Sequence, residues 1–299
     1  TGSLFAMGCS GPERMFYGAP RDFLLGLRYI DSQGRMISTG GKVVKNVAGY
    51  DMTRLLTGSN GTLGIITEAT WRVSTRPELS MAISATGDLA TCFNAALKLM
   101  NANLFPAFIT AVPKDNLSGQ FPDQFPSQWK MVVGFEGLLK VVEHQVEKCS
   151  LLLSSNKLKS GETWAYDLID GCFKYDFDKI ALAPYILKAG VALEKMPDII
   201  NTITALETPN EWFLDFGCGR IFGALDLLES DHWRTLGRKA ISLGGYVQLE
   251  KAPESFKSEQ DVFGEVRAEW ALMHKIKRAV DPHSLFAPGR MPGKEGHGL

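Results

Sequence analysis

The alternation of apolar and polar positions predicts β-strands in the first quarter of the chain. Residues 65–73 alternate along their whole length, which is the period of a half-buried strand. Residues 23–38 contain two apolar runs joined by Asp31-Ser32-Gln33-Gly34, a turn sequence typical of a β-hairpin. The pair Arg76-Pro77 then interrupts the pattern. We therefore predict a strand-rich unit over residues 1–77.

From residue 78 the pattern is that of amphipathic helices between strands. Asp88 is a candidate N-cap, and the apolar face of the helix that follows it consists of Leu89, Cys92, Phe93, Ala96, Leu97 and Met100. A second helix is predicted at 138–153, and the same order of strands and helices recurs between residues 187 and 249. Two β-α-β-β-α-β patterns predict an α+β fold, in which residues 78–265 form an antiparallel sheet of ferredoxin-like repeats with helices on one face.

The C-terminal segment, residues 266–299, is predicted to begin with a helix. Its apolar positions are Val266, Trp270, Met273, Ile276 and Val280. Residues 281–290 are rich in helix-breaking residues, so we expect an ordered, non-helical segment there. Residues 293–299 are expected to be frayed.

Composition and charge exclude several classes of protein. The chain has 32 Lys and Arg against 33 Asp and Glu, without the basic surplus of a nucleic-acid-binding protein. No apolar run approaches the roughly 18 residues of a membrane span. The five cysteines and five histidines are dispersed, without metal-ligand spacing, so we predict free buried thiols in a reducing cytoplasm and no metal site.

Two glycine-rich segments are the candidate ligand-binding elements. Gly8-Cys9-Ser10-Gly11 and Gly58-Ser59-Asn60-Gly61-Thr62-Leu63-Gly64 would allow close approach of the backbone to a cofactor. Each is also compatible with an ordinary turn or a bulged connection. The second is not a dinucleotide-binding fingerprint, because a strand rather than a helix is predicted after it.

The combination of motifs is more specific than either segment. Tyr17-Gly18-x-x-Arg21-Asp22, the stretch 40–51 and the stretch 55–68 together resemble the second FAD-binding lobe of the vanillyl-alcohol-oxidase/p-cresol-methylhydroxylase superfamily. The residues Lys-Asn-Val-Ala-Gly-Tyr-Asp at 45–51 resemble the E-subunit family of bacterial glycolate oxidase in particular. Residues 272–291 resemble the closing motif of the superfamily, with Ala287 where Asn is commoner.

The resemblance implies a domain organisation and a cofactor, FAD. Residues 1–77 would be the second lobe of the FAD-binding domain, residues 78–265 a cap, and residues 266–299 a segment returning to the FAD domain. The family's first lobe, which holds the pyrophosphate in a glycine-rich loop, has no counterpart in this sequence. We therefore expect residues 1–299 by themselves to bind FAD weakly or not at all.

The resemblance also implies which residues contact the flavin. The flavin ring and ribityl chain would be contacted by Gly8, Cys9, Ser10 and Gly11, with Tyr17, Gly18, Arg21 and Asp22 close by. The adenosine half would lie along Gly61, Gly64, Ile65 and Ile66.

Several of these polar and aromatic residues have a structural alternative. Arg21 and Asp22 can equally form an ion pair that braces the lobe. Tyr17 and Tyr50 are interpreted as core aromatics rather than redox participants. Lys45 and Asn46 are candidates for contact with the flavin ring. Arg220 is either a carboxylate ligand or, the favoured interpretation, a solvated surface side chain.

The leading hypothesis is an FAD-binding subunit of a glycolate-oxidising complex, with no assignable catalytic residues. Its substrate would be a small 2-hydroxy acid, and its partners the flavin-binding D subunit and the iron-sulfur F subunit. The resemblance implies a cytoplasmic location, at the periphery of the inner membrane through the complex. The alternative is a non-catalytic assembly subunit that no longer binds flavin. A self-sufficient D-lactate-type dehydrogenase is disfavoured, because the His-rich metal and substrate motif of that type is absent from the sequence.

Overall fold

The computed structural model describes residues 2–41, 50–114, 128–166, 182–207 and 209–293. The chain forms two compact units, which we call the small unit, Thr1–Thr75 with Val266–Leu299, and the large unit, Arg76–Glu265.

The small unit is built on a three-stranded antiparallel sheet in the order β2-β1-β3. Its elements are α1 (Gly2–Met7), α2 (Arg14–Tyr17), α3 (Pro20–Phe23), β1 (Leu24–Ile30), β2 (Met36–Gly40), α4 (Met52–Leu56), β3 (Ile65–Trp71) and α10 (Ala268–Val280). The predicted hairpin of β1 and β2 is confirmed. Its turn is held by Asp31, whose carboxylate accepts hydrogen bonds from the amides of Gln33 and Arg35, each at 2.9 Å. The short helices α1 to α4 were not predicted, because four to six residues are too few to show a helical period.

The C-terminal helix α10 packs against the core of the small unit. Ile276 and Val280 contact the core cluster, whose buried members are Phe5, Leu24, Leu27, Tyr29, Leu56 and Leu63. The Ser32 hydroxyl, in the β1–β2 turn, donates a hydrogen bond to the Val280 carbonyl at 2.6 Å. Helix α10 is therefore attached to the β1–β2 hairpin by both packing and a hydrogen bond.

The non-helical segment after α10 is ordered around Asp281. Its buried carboxylate accepts hydrogen bonds from the amides of Leu285, at 3.0 Å, and Phe286, at 2.9 Å. Burial raises the pKa of Asp281, but the hydrogen bonds from Lys277, Phe286 and Leu285 outweigh burial and hold that pKa below its ordinary value. Two non-glycine residues of this segment, Ser284 and Ala287, have positive φ.

We expect Ala287→Asn to stabilise the protein. Ala287 has φ +40°, a left-handed conformation that Asn adopts more readily than Ala. The gain in the free energy of unfolding should be about 0.5–1 kcal/mol, measurable by urea denaturation. Ala279→Asn, at an exposed position of α10, is the control and should lower stability by a few tenths of a kcal/mol, about the difference in helix propensity. A loss of stability in both variants would contradict the assignment of strain to Ala287.

The large unit contains an eight-stranded antiparallel sheet in the order β11-β8-β10-β9-β5-β6-β4-β7. Its strands are β4 (Leu79–Gly87), β5 (Phe108–Pro113), β6 (Trp129–Gly137), β7 (Lys159–Ala165), β8 (Tyr185–Gly190), β9 (Glu211–Asp215), β10 (Arg220–Leu225) and β11 (Tyr246–Lys251). Its described helices are α5 (Leu89–Asn101), α6 (Leu139–Ser155), α7 (Met196–Leu206), α8 (Ser230–Ser242) and α9 (Glu254–Glu259).

The sheet consists of two ferredoxin-like repeats joined edge to edge. The first repeat has the strand order β7-β4-β6-β5 and the second the order β11-β8-β10-β9, so each places its fourth, first, third and second strands side by side. The repeats meet where β5 pairs with β9, through Thr110 opposite Asp215 and Ala111 opposite Leu214. The predicted α+β fold with ferredoxin-like repeats is confirmed.

The helix N-caps and buried stripes agree with the sequence pattern, with one correction. Asp88 accepts a hydrogen bond from the Thr91 amide at 2.7 Å, as expected of an N-cap. In α5, however, Ala95 and Leu99 are buried, whereas Met100 is exposed and Leu89 and Leu97 are half-buried. Small Ala95 was overlooked because alanine occupies exposed and buried helix positions alike. None of the helices within the described ranges has the length and apolar character of a membrane span.

Candidate functional site

The two glycine-rich segments lie side by side in the small unit. The carbonyl groups of Phe5 and Ala6, in the last turn of α1, accept hydrogen bonds from the amides of Gly58, at 3.0 Å, and Asn60, at 2.8 Å. A Cβ atom on Gly8 would lie 3.3 Å from the Cα atom of Gly58. Residues far apart in sequence thus form one glycine-lined surface.

In the first segment, Gly8 ends helix α1. Gly8 has φ +64°, and its amide donates to the Phe5 carbonyl at 3.0 Å, while the Cys9 amide donates to the Leu4 carbonyl at 3.2 Å. This arrangement caps the C-terminus of the helix. The amides of Gly8 and Cys9 are therefore committed to the cap. What this segment can offer a ligand is close approach of the backbone and the exposed Cys9 side chain.

The second segment is a tight loop with several left-handed residues. Gly58, Asn60 and Gly61 have φ values of +77°, +54° and +73°. The amides of Gly58, Ser59, Asn60 and Thr62 all donate to carbonyl groups of the small unit. A Cβ atom on either Gly58 or Gly61 would meet no atom within 4 Å, so the backbone faces open space at both positions.

Gly64 directly precedes the edge strand β3, which begins with Ile65 and Ile66. A Cβ atom on Gly64 would lie 2.8 Å from the Tyr29 ring, so glycine is required there for the packing of β3 against β1. Ile65 and Ile66 lie opposite Ile30 and Tyr29 in the sheet. Within the described chain β3 pairs with β1 alone, so the other edge of β3 carries no strand.

Tyr17 is the last residue of α2, Gly18 begins the connection to α3, and Arg21 and Asp22 lie within α3. Gly18 has φ +89°, and a Cβ atom there would lie 3.1 Å from Asp22. The Asp22 carboxylate accepts a hydrogen bond from the Ala19 amide at 2.7 Å and so caps α3. Arg21 lies 3.8 Å from Asp22, and both side chains are exposed. Asp22 therefore has a structural role, whereas the Arg21 side chain extends into solvent.

Two expectations about single residues are wrong. Tyr50, interpreted as a core aromatic, is 95% exposed, because it precedes the capping residue of α4 on the outside of the small unit. Arg220, interpreted as a solvated side chain, is buried in β10 of the large unit. Lys45 and Asn46 lie outside the described residues.

The buried Arg220 is paired with a buried carboxylate. Its Nη2 and Nε atoms lie 2.6 and 3.0 Å from Oδ2 of Asp215, and the two side chains are 9% and 0% exposed. Burial raises the pKa of Asp215, whereas Arg220 and the Cys218 amide lower it, and burial prevails. The pair was missed because Asp215 and Arg220 become neighbours only through the register of the β9–β10 hairpin.

The described cysteines differ in exposure, and the described residues contain no cluster of metal ligands. No group of three or more His, Cys, Asp or Glu side chains among the described residues is placed to hold a metal ion. Burial raises the pKa of Cys92 and Cys149 to about 12, so these thiols are protonated and unreactive. Cys9 is exposed, contrary to the expectation of buried thiols, and Cys172 is outside the described residues.

Comparisons with known proteins identify relatives along nearly the whole chain. It is 29% identical over 293 residues to glycolate oxidase subunit GlcE of Escherichia coli, covering 97% of this chain and 71% of the relative. It is 26% identical to glycolate oxidase subunit GlcD of Bacillus subtilis, covering 95% and 66%. It is 23% identical to a D-lactate dehydrogenase of Archaeoglobus fulgidus, covering 98% and 70%.

Solved structures resemble the fold as well. An alkyldihydroxyacetonephosphate synthase superposes with a TM-score of 0.65 at 17% identity, covering 97% of this chain and 58% of that protein. The chain thus spans about two thirds of its sequence relatives and somewhat less of this structural relative. No family model matches it.

Proposed function

We propose that this chain, as a homologue of the glycolate oxidase subunits and of the FAD-linked dehydrogenases related to them, binds FAD. It would be the FAD-binding subunit of a complex that oxidises a 2-hydroxy acid such as glycolate. The observation that carries this proposal is the single glycine-lined surface of the small unit. It brings together the two segments whose motifs resemble flavin-binding elements.

The residues present fit a flavin cofactor. Gly58 and Gly61 have backbone conformations that favour glycine, and open space lies beside both of them. Open space beside a left-handed glycine is what close approach of a ligand to the backbone requires. In contrast, Gly8 is a left-handed helix cap, and protein atoms pack against Gly64.

The residues that would hold FAD are those of the two segments and their neighbours. They are Gly8, Cys9, Ser10, Gly11, Tyr17, Gly18, Arg21, Asp22, Gly61, Gly64, Ile65 and Ile66. When bound, FAD supplies the two-electron acceptor that oxidation of a 2-hydroxy acid to a 2-oxo acid needs. The protein's own part is to bind and orient the cofactor. We assign this role to the small unit and the role of a cap to the large unit.

The wider assembly is part of the proposal. The partners would be a flavin-binding D subunit and an iron-sulfur F subunit, with the complex at the periphery of the inner membrane. The alternative, a non-catalytic assembly subunit, has less support, because relatives named as dehydrogenases and oxidase subunits align over nearly the whole chain.

The proposal is tested on the chain purified with its partner subunits. FAD released by denaturation is quantified against the amount of this chain and of every other flavin-binding subunit. Glycolate and D-lactate are then added without oxygen, and bleaching of the visible flavin bands is followed. We expect one FAD for each copy of this chain, reduced by a 2-hydroxy acid. A flavin content that the other subunits account for entirely would establish the assembly role instead.

A pair of matched glycine variants tests the site itself. Gly61→Ala and Gly34→Ala have nearly equal φ values, +73° and +75°, and neither new Cβ atom would meet protein. Each should therefore lose about 1–2 kcal/mol of stability. Only Gly61→Ala should weaken FAD binding, by about tenfold, since a lost contact of about 1.4 kcal/mol has that effect on Kd. The readout is FAD retention during gel filtration, and equal retention by both variants would remove Gly61 from the site.

A further inference from the structure

Lys277 is an unusual residue at its position in helix α10. It lies on the buried side of the helix, one heptad after the fully buried Trp270, and its side chain is only 9% exposed. A lysine on the core side of an amphipathic helix is costly unless its charge is compensated. The groups that contact Lys277 therefore indicate its role.

The Lys277 ammonium group joins three separate segments. It donates to the Asp281 carboxylate at 2.5 Å, to the Thr62 carbonyl at 2.7 Å and to the Phe286 carbonyl at 3.0 Å. An ammonium group has three donors, and all three are used here. An ion pair with Asp281 alone would need only one of them. The remaining two bind main-chain carbonyls, one of which belongs to the second glycine-rich segment.

Thr62 is the point at which that segment is anchored. Its buried side chain donates to the Ser59 carbonyl at 2.6 Å, and it directly follows Gly61, which faces open space. The other side of the segment is held by the carbonyl groups of α1. A loop containing three left-handed residues keeps one conformation only if both sides are held. The Lys277 side chain holds the side of the loop at Thr62.

We propose that Lys277 is a positioning residue for the cofactor loop 58–64, acting through the Thr62 carbonyl and without contact with the flavin. This inference rests on the proposed function, because it takes Gly61 and its neighbours to bind FAD. It assigns the C-terminal segment a role in cofactor affinity in addition to completing the fold.

Two variants separate this role from simple docking of the C-terminal segment. Lys277→Met removes all three hydrogen bonds and keeps an unbranched, apolar side chain that is one atom shorter. Ser32→Ala removes the hydrogen bond to the Val280 carbonyl, which ties the same helix to the small unit away from the glycine-rich segment. Both variants should lower the thermal stability of the purified complex. Lys277→Met should raise the Kd for FAD about tenfold or more, and Ser32→Ala should leave it within about twofold.

The test uses the complex stripped of flavin and titrated with FAD, with visible circular dichroism of the bound flavin as a second readout. We expect Lys277→Met to change the dichroism and Ser32→Ala to preserve it. Equal FAD affinity in the two variants would overturn the inference, while an absence of flavin from the wild-type chain would overturn the proposed function with it. If Lys277→Met does not fold, the double variant Lys277→Met with Asp281→Asn, which also removes the buried carboxylate left without its partner, decides by the same comparison. It should weaken FAD binding more than Ser32→Ala does, and an affinity equal to that of Ser32→Ala would refute the inference.

Discussion

Arg220→Met is expected to lower the free energy of unfolding by about 3–5 kcal/mol, because it leaves a buried carboxylate without its partner. Asp215 is completely buried, and its Oδ2 atom accepts hydrogen bonds from Nε and Nη2 of the charged Arg220 side chain. After the substitution the Cys218 amide would remain as a neutral donor to Asp215. Urea denaturation followed by circular dichroism gives the change in stability.

The pH dependence of that variant identifies the cause. Without Arg220, burial would raise the folded-state pKa of Asp215 further above its unfolded value. The folded state would then bind more protons than the unfolded state, so the variant's stability should rise as the pH falls toward the ordinary pKa of an aspartate, about 3.9. A stability deficit that does not change with pH would show that packing, not the unpaired charge, is responsible.

Two further variants complete this test. Lys188→Met breaks an ion pair with Glu250 whose side chains are 23% and 34% exposed, and it should cost only about 0–1 kcal/mol. The double variant Asp215→Leu with Arg220→Met removes both buried charges, and it should recover most of the stability lost by Arg220→Met. If the double variant is as unstable as the single one, the buried pair contributes more than charge compensation.

The large unit was predictable from sequence because its elements are long and periodic. Each of its helices α5 to α8 has at least eleven residues and a buried stripe, so the apolar spacing reveals it. The repeated order of strands and helices then determines the ferredoxin-like topology. The sequence pattern does not predict the seam between the repeats, where β5 pairs with β9. Apolar periodicity identifies each strand, but it does not show which edge strands of the two repeats pair.

The candidate site was predictable only in part, for a different reason. The motifs single out Gly8 and Gly61, but they do not say why each is a glycine. The structure separates a helix cap at Gly8 from an open backbone at Gly61. Lys277 belongs to the closing motif 272–291, but the sequence assigns it no role, because it resembles any other polar residue of an amphipathic helix. Its acceptor, Thr62, is 215 positions away in sequence, and no local pattern connects the two.

Trp212→Ala is expected to destabilise the large unit by about 3–5 kcal/mol, the range for truncating a buried aromatic side chain. Trp212 in β9 belongs to the second repeat, and it meets Trp129 of β6 in the first repeat. The two rings are 6.3 Å apart, edge to face, and both residues are fully buried. Because only two residue pairs align β5 with β9, side chains that cross the seam carry much of its stability.

The same seam contains a second aromatic contact, between Phe93 of α5 and Phe216, with ring centroids 4.9 Å apart. Loss of the Trp212 ring should therefore weaken the seam without abolishing it. Hydrogen exchange should become faster in β5 and β9 together, because the edges of both repeats open there. Trp164→Ala is the control, since Trp164 is half-buried on the edge strand β7, and its loss of stability should be smaller. Faster exchange confined to β9 and β10 would show that Trp212 stabilises its own repeat and not the junction.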